Sequence, residues 1–190
     1  VEADGKSLFR AAGIAVPDAI EATDAAAPKL PGTGPWMVKA QVPAGGRGKA
    51  GGVSRCADAA EVEAALSRQL ALRLKGHPVR ACLVEQTVSG VEHYLALMLD
   101  PAAYAVRVIY AAQGGVDIEQ AGPAAFRLCP PDVAAITAAI AELTDGEPAL
   151  VALGHRLAAL FLAHELMLAE INPLFVTPAG CIAGDAKVVV

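Results

Sequence analysis

The sequence has few aromatic residues and no long apolar run, and these absences exclude several classes of protein. Aromatic residues make up only 4% of the 190 residues, so a platform on which nucleic-acid bases stack is not expected. Hydrophobic residues reach 55% with a mean hydropathy of +0.45, but the longest uninterrupted apolar stretch, Leu157–Ala163, has seven residues, and a bilayer span needs about 20. Because alanine supplies 42 of the residues, the sequence predicts a compact soluble domain with alanine-rich helices and no membrane partner.

Basic charge and cysteine motifs are also scarce. The net charge of −5 and the pI of about 5.3 argue against a nucleic-acid partner, which would normally meet a basic surface. Successive cysteines lie 26, 47 and 52 residues apart, so the spacing typical of a structural zinc site is missing. A domain of this length does not need disulfides, and we therefore expect reduced cysteines and a cytoplasmic location. The cysteines are Cys56, Cys82, Cys129 and Cys181.

A glycine loop is the sharpest local feature. Ala44–Gly52 holds five glycines together with Arg47 and Lys49, and lies between two predicted strands. The run Gly46–Gly51 fits the pattern GxGxxG, but no helix begins inside it as a dinucleotide fingerprint requires, and Ala50 replaces the hydroxyl of a Walker A loop. The order strand, loop, strand predicts a hairpin whose exposed N–H groups and two cations could close over a polyphosphate. A flexible surface hairpin is the alternative.

Lys39 lies on the strand that leads into this loop. Strand alternation puts Met37, Lys39 and Gln41 on one face and the residues between them on the other. A lysine beside a phosphate loop can act as a point-charge clamp. The alternative is a solvated lysine on an edge strand.

Oxygen-bearing side chains are concentrated near the C-terminal end of the sequence. If residues 177–180 form a turn, residues whose numbers sum to 357 are paired, and Asn172 lies opposite Asp185. We then expect Glu170, Asn172 and Asp185 on one face, a set of oxygen ligands that suits Mg²⁺. An ordinary hairpin with polar residues facing solvent is the alternative. The residues expected around them are Leu168, Leu174 and Ile182.

The remaining pattern mixes helices and strands, which predicts an α+β or mixed α/β fold. A helix capped by Asp58 is predicted to run to about Leu74, because Val62, Leu66, Leu70 and Leu74 recur at four-residue spacing. The other predicted helices span Lys6–Ala12, Pro131–Leu143 with Pro131 in the first turn, and about Ala149–His164. Predicted strands span Trp36–Val42, Val53–Cys56, Ala81–Glu85, Tyr94–Leu99, Ala105–Tyr110, Met167–Asn172 and Cys181–Val190, and Ala22–Pro35 is predicted to be a loop. A phosphate loop and an oxygen-rich hairpin together predict a nucleotide bound between two lobes and phosphoryl transfer by positioning and charge neutralisation.

Several motifs resemble one family. Residues 38–53, VKAQVPAGGRGKAGGV, resemble the signature of the β subunit of succinyl-CoA synthetase and its relatives, which include malate–CoA ligase and ATP-citrate lyase. The motifs LVE at 83–85, EHYL at 92–95, GGVDIE at 114–119, AEINPL at 169–174 and DAK at 185–187 follow in the family's order. The resemblance covers essentially the whole chain and implies an ATP-grasp fold whose two lobes clasp a nucleotide. It implies a smaller lobe of about residues 18–87 and a larger lobe of about residues 1–17 plus 88–190.

The resemblance also implies the roles of individual residues. Lys39 is similar to the family's phosphate-binding lysine, and Gly46, Arg47 and Gly48 are similar to its phosphate loop. Glu85 would be the hinge glutamate near the purine, Glu92 the glutamate near the ribose, Asn172 and Asp185 the Mg²⁺ ligands, and Glu170 a glutamate facing a phosphorylated histidine. Glu170 and Arg47 are thereby the candidate catalytic residues.

The function that the resemblance implies needs partners. In the family, ATP or GTP phosphorylates a histidine on a partner α subunit or domain, the phosphate passes to a carboxylic acid, and CoA then displaces it. The family's β subunit continues into a CoA-ligase-type domain, whereas this sequence stops at Val190, and none of its four histidines has the phosphohistidine context. We therefore expect this chain to bind Mg-nucleotide without forming an acyl-CoA alone. A different ATP-grasp carboxylate ligase and a non-catalytic nucleotide-binding domain are the alternatives.

Overall fold

The computed structural model of the chain describes residues 1–26, 28–114 and 124–190. Most of the GGVDIE motif, at residues 115–119, lies outside the described residues. The described residues form two compact units with separate hydrophobic cores. The small unit comprises Val1 and residues 17–88, and the large unit comprises residues 2–16 and 89–190.

Within the described residues, helices and strands are mixed, which confirms the predicted fold class. The helices are α1 (Glu2–Ala11), α2 (Ala59–Leu70), α3 (Val133–Leu143) and α4 (Pro148–Ala163). The strands are β1 (Ala19–Ala22), β2 (Trp36–Ala40), β3 (Val53–Cys56), β4 (Arg73–Leu74), β5 (His77–Pro78), β6 (Cys82–Gln86), β7 (Val91–Asp100), β8 (Ala105–Ala111), β9 (Ala125–Cys129), β10 (Leu168–Thr177), β11 (Gly180–Ala183) and β12 (Lys187–Val189). Among the described residues, no helix has both the length and the apolar character needed to cross a bilayer.

The small unit is an antiparallel sheet covered by one helix. Its strand order is β1-β6-β2-β3, and Val38, Val84 and Leu66 meet in the core between the sheet and α2. Asp58 caps α2 as predicted, because its carboxylate accepts a hydrogen bond from the N–H of Glu61. The strand β1 was not predicted, since its four residues carry little pattern and its place is fixed by pairing with β6.

The predicted end of α2 near Leu74 is wrong. The helix ends at Leu70, and Leu74 instead belongs to a short hairpin formed by β4 and β5. Lys75 and Gly76 form the tip of this hairpin with φ angles of 49° and 86°, which is the left-handed pair that a two-residue hairpin turn requires. Leu74 fits the four-residue spacing of α2 only by coincidence, because it is buried as part of strand β4.

The large unit is a sheet with helices on one face. Its strand order is β11-β10-β7-β8-β9, and β12 also pairs with β10. Residues of α3 and α4, among them Ile140 and Leu157, share one core with Leu97, Val108 and Ile171 of the sheet. Pro131 is not in the first turn of α3 as predicted, because Asp132 caps the helix and leaves Val133 as its first residue. The first helix begins at Glu2, earlier than the predicted Lys6.

The C-terminal hairpin has the predicted register. Thr177 pairs with Gly180 and Leu174 with Ala183 in β10 and β11, and Glu170 pairs with Lys187 in β10 and β12. The numbers of every pair sum to 357, as predicted. The second strand is not continuous, however: residues 184–186 separate β11 from β12, so the prediction of one strand from Cys181 to Val190 is wrong at the position of Asp185.

Candidate functional site

Lys39 and Glu85 form a buried ion pair on the two central strands of the small sheet. The Lys39 Nζ lies 2.7 Å from the Glu85 Oε2, and the two side chains are only 12% and 2% exposed. The predicted alternation is confirmed, since Trp36, Val38 and Ala40 are buried in the core while Lys39 lies on the opposite face. Because β2 lies between β6 and β3, a solvated lysine on an edge strand does not describe Lys39.

The glycine loop joins β2 to β3 and contains a hydrogen-bonded turn. The carbonyl of Arg47 accepts from the N–H of Ala50 at 3.1 Å and from the N–H of Gly52 at 2.8 Å, and the Arg47 guanidinium donates to the carbonyl of Ala40 at 3.1 Å. Gly46 and Gly51 have φ angles of 72° and 78°, which side chains other than glycine adopt at a cost. These hydrogen bonds therefore tie Arg47, between Gly46 and Gly48, to Ala40 at the end of β2 and to Gly52 just before β3.

Lys75 is a cation of this region that the sequence analysis missed. The hairpin of β4 and β5 packs on the glycine loop, because a Cβ added to Gly52 would meet the side chain of Leu74. A Cβ added to Gly46 would lie 3.4 Å from the Lys75 Nζ. Gly76, between Lys75 and His77, was the available signal, because glycine readily adopts the positive φ that a two-residue hairpin turn requires.

Asn172 and Asp185 lie opposite each other in the large unit. The pairs Glu170–Lys187 and Leu174–Ala183 bracket them in register, and the N–H of Gly184 donates to the carbonyl of Pro173 at 2.9 Å. The Asp185 Oδ1 accepts from the N–H of Ala186 at 2.6 Å. Both side chains are half-buried, and the register places the Asp185 position opposite the Asn172 position at the break in the second strand.

A bulge changes the face on which Leu174 lies. The pairing of β10 with β7 shifts register between Ile171 and Leu174, and such a bulge alters the alternation of side chains. Ile171 and Leu174 are therefore both buried in the core beneath α4. The expectation that Leu174 surrounds the oxygen-bearing residues is wrong for this reason.

Glu170 has a cation and a phenol near its carboxylate. Lys187, its partner across the strands, places Nζ 3.6 Å from the Glu170 Oε2. Burial, together with the negative charge of Glu170, raises the pKa of Tyr94 to about 12. Tyr94 therefore stays protonated at neutral pH and can donate a hydrogen bond. The sequence analysis did not single out Tyr94, which lies two residues after Glu92 in the EHYL motif.

Glu92 lies apart from the other candidates of its unit. It is exposed on β7 and pairs with Phe175 of β10, whereas Asn172 lies within the register shift between Ile171 and Leu174. The structure therefore brings together Lys39 with Glu85, the three loop residues with one another, and Asn172 with Asp185, each within one unit. Glu92 pairs instead with Phe175, three residues beyond Asn172.

The oxygen-bearing set fits Mg²⁺ by its chemistry. The described residues contain no group of three His, Cys, Asp or Glu side chains able to hold a metal ion, and the oxygen donors offered at the strand break are the Asn172 amide and the Asp185 carboxylate. Mg²⁺ prefers oxygen, keeps several waters and commonly takes only one or two carboxylates from a protein, with phosphates completing its shell. Two oxygen donors without thiolate or imidazole are therefore sufficient.

The cysteines take no part in these sets. All four are free thiols, and three of them are buried. Burial raises the pKa of each thiol, that of Cys82 to about 11. Since the thiolate is the reactive form, these cysteines are poor nucleophiles at neutral pH.

Comparison with known proteins gives a consistent result. A family model described as an ATP-grasp domain matches residues 1–126. The succinate–CoA ligase (ADP-forming) subunit beta of Thioalkalivibrio sulfidiphilus is 38% identical over 214 residues, which cover 98% of this chain and 55% of the relative. The protein of the same description from Halorhodospira halophila is 38% identical over 219 residues, which cover 100% of this chain and 55% of the relative. The chain thus spans about half the length of the curated relatives it matches.

A solved structure gives the same fold. The dinucleotide-forming acetyl-coenzyme A synthetase 1 of Ca. Korarchaeum cryptofilum superposes with a TM-score of 0.75 at 20% sequence identity, and the match covers 100% of this chain and 92% of that chain. At this identity the likeness shows the fold.

Proposed function

Because the chain belongs to the ATP-grasp domain family, we propose that it binds a magnesium nucleotide, ATP or GTP, and serves as the nucleotide-binding part of a carboxylate–CoA ligase. The observation that carries this proposal is the Asn172–Asp185 pair. Backbone pairing on either side holds an amide oxygen and a carboxylate opposite each other at a break in a strand, which is a donor set suited to Mg²⁺ with bound phosphates.

The residues of the small unit would bind the nucleotide itself. Lys39, Gly46, Arg47 and Gly48 would contact the phosphates through one ammonium, one guanidinium and the loop N–H groups. Lys75 adds a further ammonium beside Gly46. Glu85 lies 2.7 Å from the Lys39 ammonium and orients it. In the nucleotide-bound state Glu85 is also proposed to lie near the edge of the purine. Glu92 of the large unit is proposed to lie near the ribose.

The residues of the large unit would act at the transferred phosphate. Asn172 and Asp185 would hold Mg²⁺, which would neutralise the charge on the phosphate oxygens. Glu170 would accept a hydrogen bond from a partner's histidine, so that the other imidazole nitrogen is oriented to take the phosphoryl group. Lys187 and Tyr94 flank the Glu170 carboxylate and hold its position.

Partners would complete the reaction. The curated relatives are described as beta subunits, and the solved neighbour is described in complex with coenzyme A and Ca-AMPCP. We propose that this chain works with an α subunit or domain that carries the phosphorylated histidine and the CoA site, and with a CoA-ligase-type domain. The acid would be a carboxylic acid of the succinate or malate class, and the location cytoplasmic.

Thermal unfolding with and without nucleotide tests the binding proposal. Mg-ATP or Mg-GTP at about 100 times its Kd should add about 2.7 kcal/mol to the free energy of unfolding, which for a chain of this size raises the melting temperature by roughly 5–10 °C. The variant Asp185→Ala should lose this rise. Asp100→Ala is the matched control, because Asp100 pairs with Arg107 in the same unit and belongs to neither residue set. No rise with either nucleotide would reject the proposal.

The place of Lys75 is tested by charge removal. Lys75→Ala should weaken Mg-ATP binding several-fold at low ionic strength and less at high ionic strength, because exposed charges are screened by salt. Lys29→Ala removes an exposed lysine of the same unit and should leave the affinity unchanged. If both substitutions weakened Mg-ATP binding equally, Lys75 would act only through the overall charge of the unit and not through a place beside the phosphates.

A further inference from the structure

The first helix carries an ion pair that is almost completely buried. The Lys6 Nζ lies 2.7 Å from the Glu2 Oε1, one helical turn away, and the side chains are 3% and 1% exposed. Burying two charges costs more free energy than their attraction commonly returns. A pair of this kind at the start of a short helix therefore calls for a reason beyond the stability of the helix.

The Lys6 ammonium is directed at the peptide before Asp185. Its Nζ donates to the carbonyl of Gly184 at 2.8 Å, while the N–H of the same Gly184 donates to Pro173 of β10. The Gly184 residue is thus held from two sides, by the strand that carries Asn172 and by α1. Residues 184–186 lie between two strands. In a continuous strand the carbonyl of Gly184 could accept a hydrogen bond from a neighbouring strand, and here it accepts one from Lys6 instead.

The helix also approaches the residue that follows Asp185. A Cβ added to Gly5 would lie 3.0 Å from the Cβ of Ala186 and 3.1 Å from its carbonyl oxygen. In addition, the N–H of Ala183 donates to the carbonyl of Ala15, just beyond the helix, at 2.8 Å. Contacts from residues 5, 6 and 15 therefore fix the backbone on both sides of Asp185.

We propose that Lys6, oriented by Glu2, is a positioning residue for Asp185 and so sets the geometry of the Mg²⁺ site. The inference rests on the proposed function, because it takes Asp185 as a metal ligand. A hydrogen bond from a charged donor is shorter and stronger than a neutral one, and partners that orient metal ligands typically change metal affinity by about 10–100-fold when they are removed.

The test compares ATP affinity with and without the metal in the full chain. Calorimetric titration with ATP is run in MgCl₂ and again in EDTA, and the ratio of the two affinities measures the contribution of Mg²⁺. Lys6→Met should reduce this ratio by about tenfold and leave the affinity in EDTA within about twofold. Because Lys6→Met leaves Glu2 buried without its lysine, the pair Glu2→Gln/Lys6→Met is measured as well, so that a folded variant without the ammonium is available.

Two controls separate positioning from general stability. Phe9→Leu perturbs the same helix at a fully buried position and should lower the melting temperature while keeping the Mg²⁺ ratio. Lys6→Met is also placed in an Asp185→Asn background, where it should cause no further loss, because two residues that act through one ligand are not additive.

The outcomes distinguish the inference from the function on which it rests. A loss limited to the Mg²⁺-dependent affinity, and absent in the Asp185→Asn background, supports the inference. If Asp185→Asn removes the Mg²⁺ dependence but both Lys6 variants keep it, the positioning role is rejected and the function stands. If the unaltered chain binds ATP equally in MgCl₂ and EDTA, or not at all, the proposed function fails and the inference falls with it.

Discussion

In the small unit, Lys39 and Glu85 project from the two central strands of a regular sheet, whereas in the large unit Asp185 lies in a break between two strands. Lys39 and Glu85 form their ion pair because β2 and β6 are adjacent, paired strands. Asp185 lies opposite Asn172 where the hairpin register continues across a break, and there Gly184 is held by β10 on one side and by Lys6 of α1 on the other.

The difference shows two ways to hold a polar group within a fold. A side chain on a central strand inherits its position from the hydrogen bonds of the sheet, so its own partner mainly compensates its charge. A side chain in a strand break depends on a few contacts from elsewhere in the chain. We therefore expect changes at Lys39 to act through charge, and changes around Asp185 to act through geometry.

The largest effect is expected from breaking the Lys39–Glu85 pair. Lys39→Met should lower the free energy of unfolding by about 3–5 kcal/mol, because it leaves Glu85 buried without its lysine, and urea unfolding measures this change. Lys39→Met/Glu85→Gln should recover most of the stability, since no unpaired charge is left buried. Neither variant should bind Mg-ATP. Binding of ATP by the double variant at the normal affinity would remove Lys39 from the phosphate contacts.

A smaller effect is expected at the strand break. Gly184→Ala would drive its Cβ into the ring of Phe175, and overpacking of this kind typically costs about 1–3 kcal/mol. The displaced Asp185 should also weaken the Mg²⁺-dependent part of ATP binding, measured by titration in MgCl₂ and in EDTA.

The matched variant in the small unit is Gly48→Ala. A Cβ at Gly48 meets nothing within 4 Å, so its stability should change by less than about 0.5 kcal/mol. Any loss of ATP affinity would then report contact with the loop itself. If Gly184→Ala were as harmless to stability as Gly48→Ala, the contrast between the two regions would be wrong.

The smallest effect is a pH dependence in the large unit. Burial lowers the pKa of His93, whose Nδ1 lies 2.7 Å from the Tyr110 hydroxyl. The unfolded chain therefore takes up the proton first as pH falls, and the contribution of His93 to stability is lost below its ordinary pKa of about 6.5. Melting temperatures between about pH 5 and pH 7 should fall less steeply for His93→Gln. An unchanged slope would assign the pH dependence to other groups.

Much of the candidate site could be predicted because it depends on short-range rules. Alternation along one strand placed Lys39 away from the core, and a single turn at residues 177–180 fixed the register that sets Asn172 against Asp185. The capping position of Asp58 follows from equally local chemistry. These features need only the two-residue period of a strand and the residue preferences of turns and caps.

Other features could not be predicted because their causes lie far away in the chain. Leu174 joined the core through a bulge that depends on pairing with β7, and β1 formed only because β6 was available to pair with it. Leu74 fitted the helical spacing of α2 and also a buried position in a hairpin. In each case the local pattern allowed two structures, and packing against a distant element selected one.

The sequence by itself determined the mixed α/β class, the glycine loop with its cations, and the pairing of the two oxygen-bearing residues, because each rests on neighbours within about a dozen positions. Only the tertiary structure decided that Lys6, 178 positions from Gly184, holds the backbone beside Asp185. A contact between residues so far apart leaves no periodic trace in the sequence, because it depends on how distant elements pack against each other.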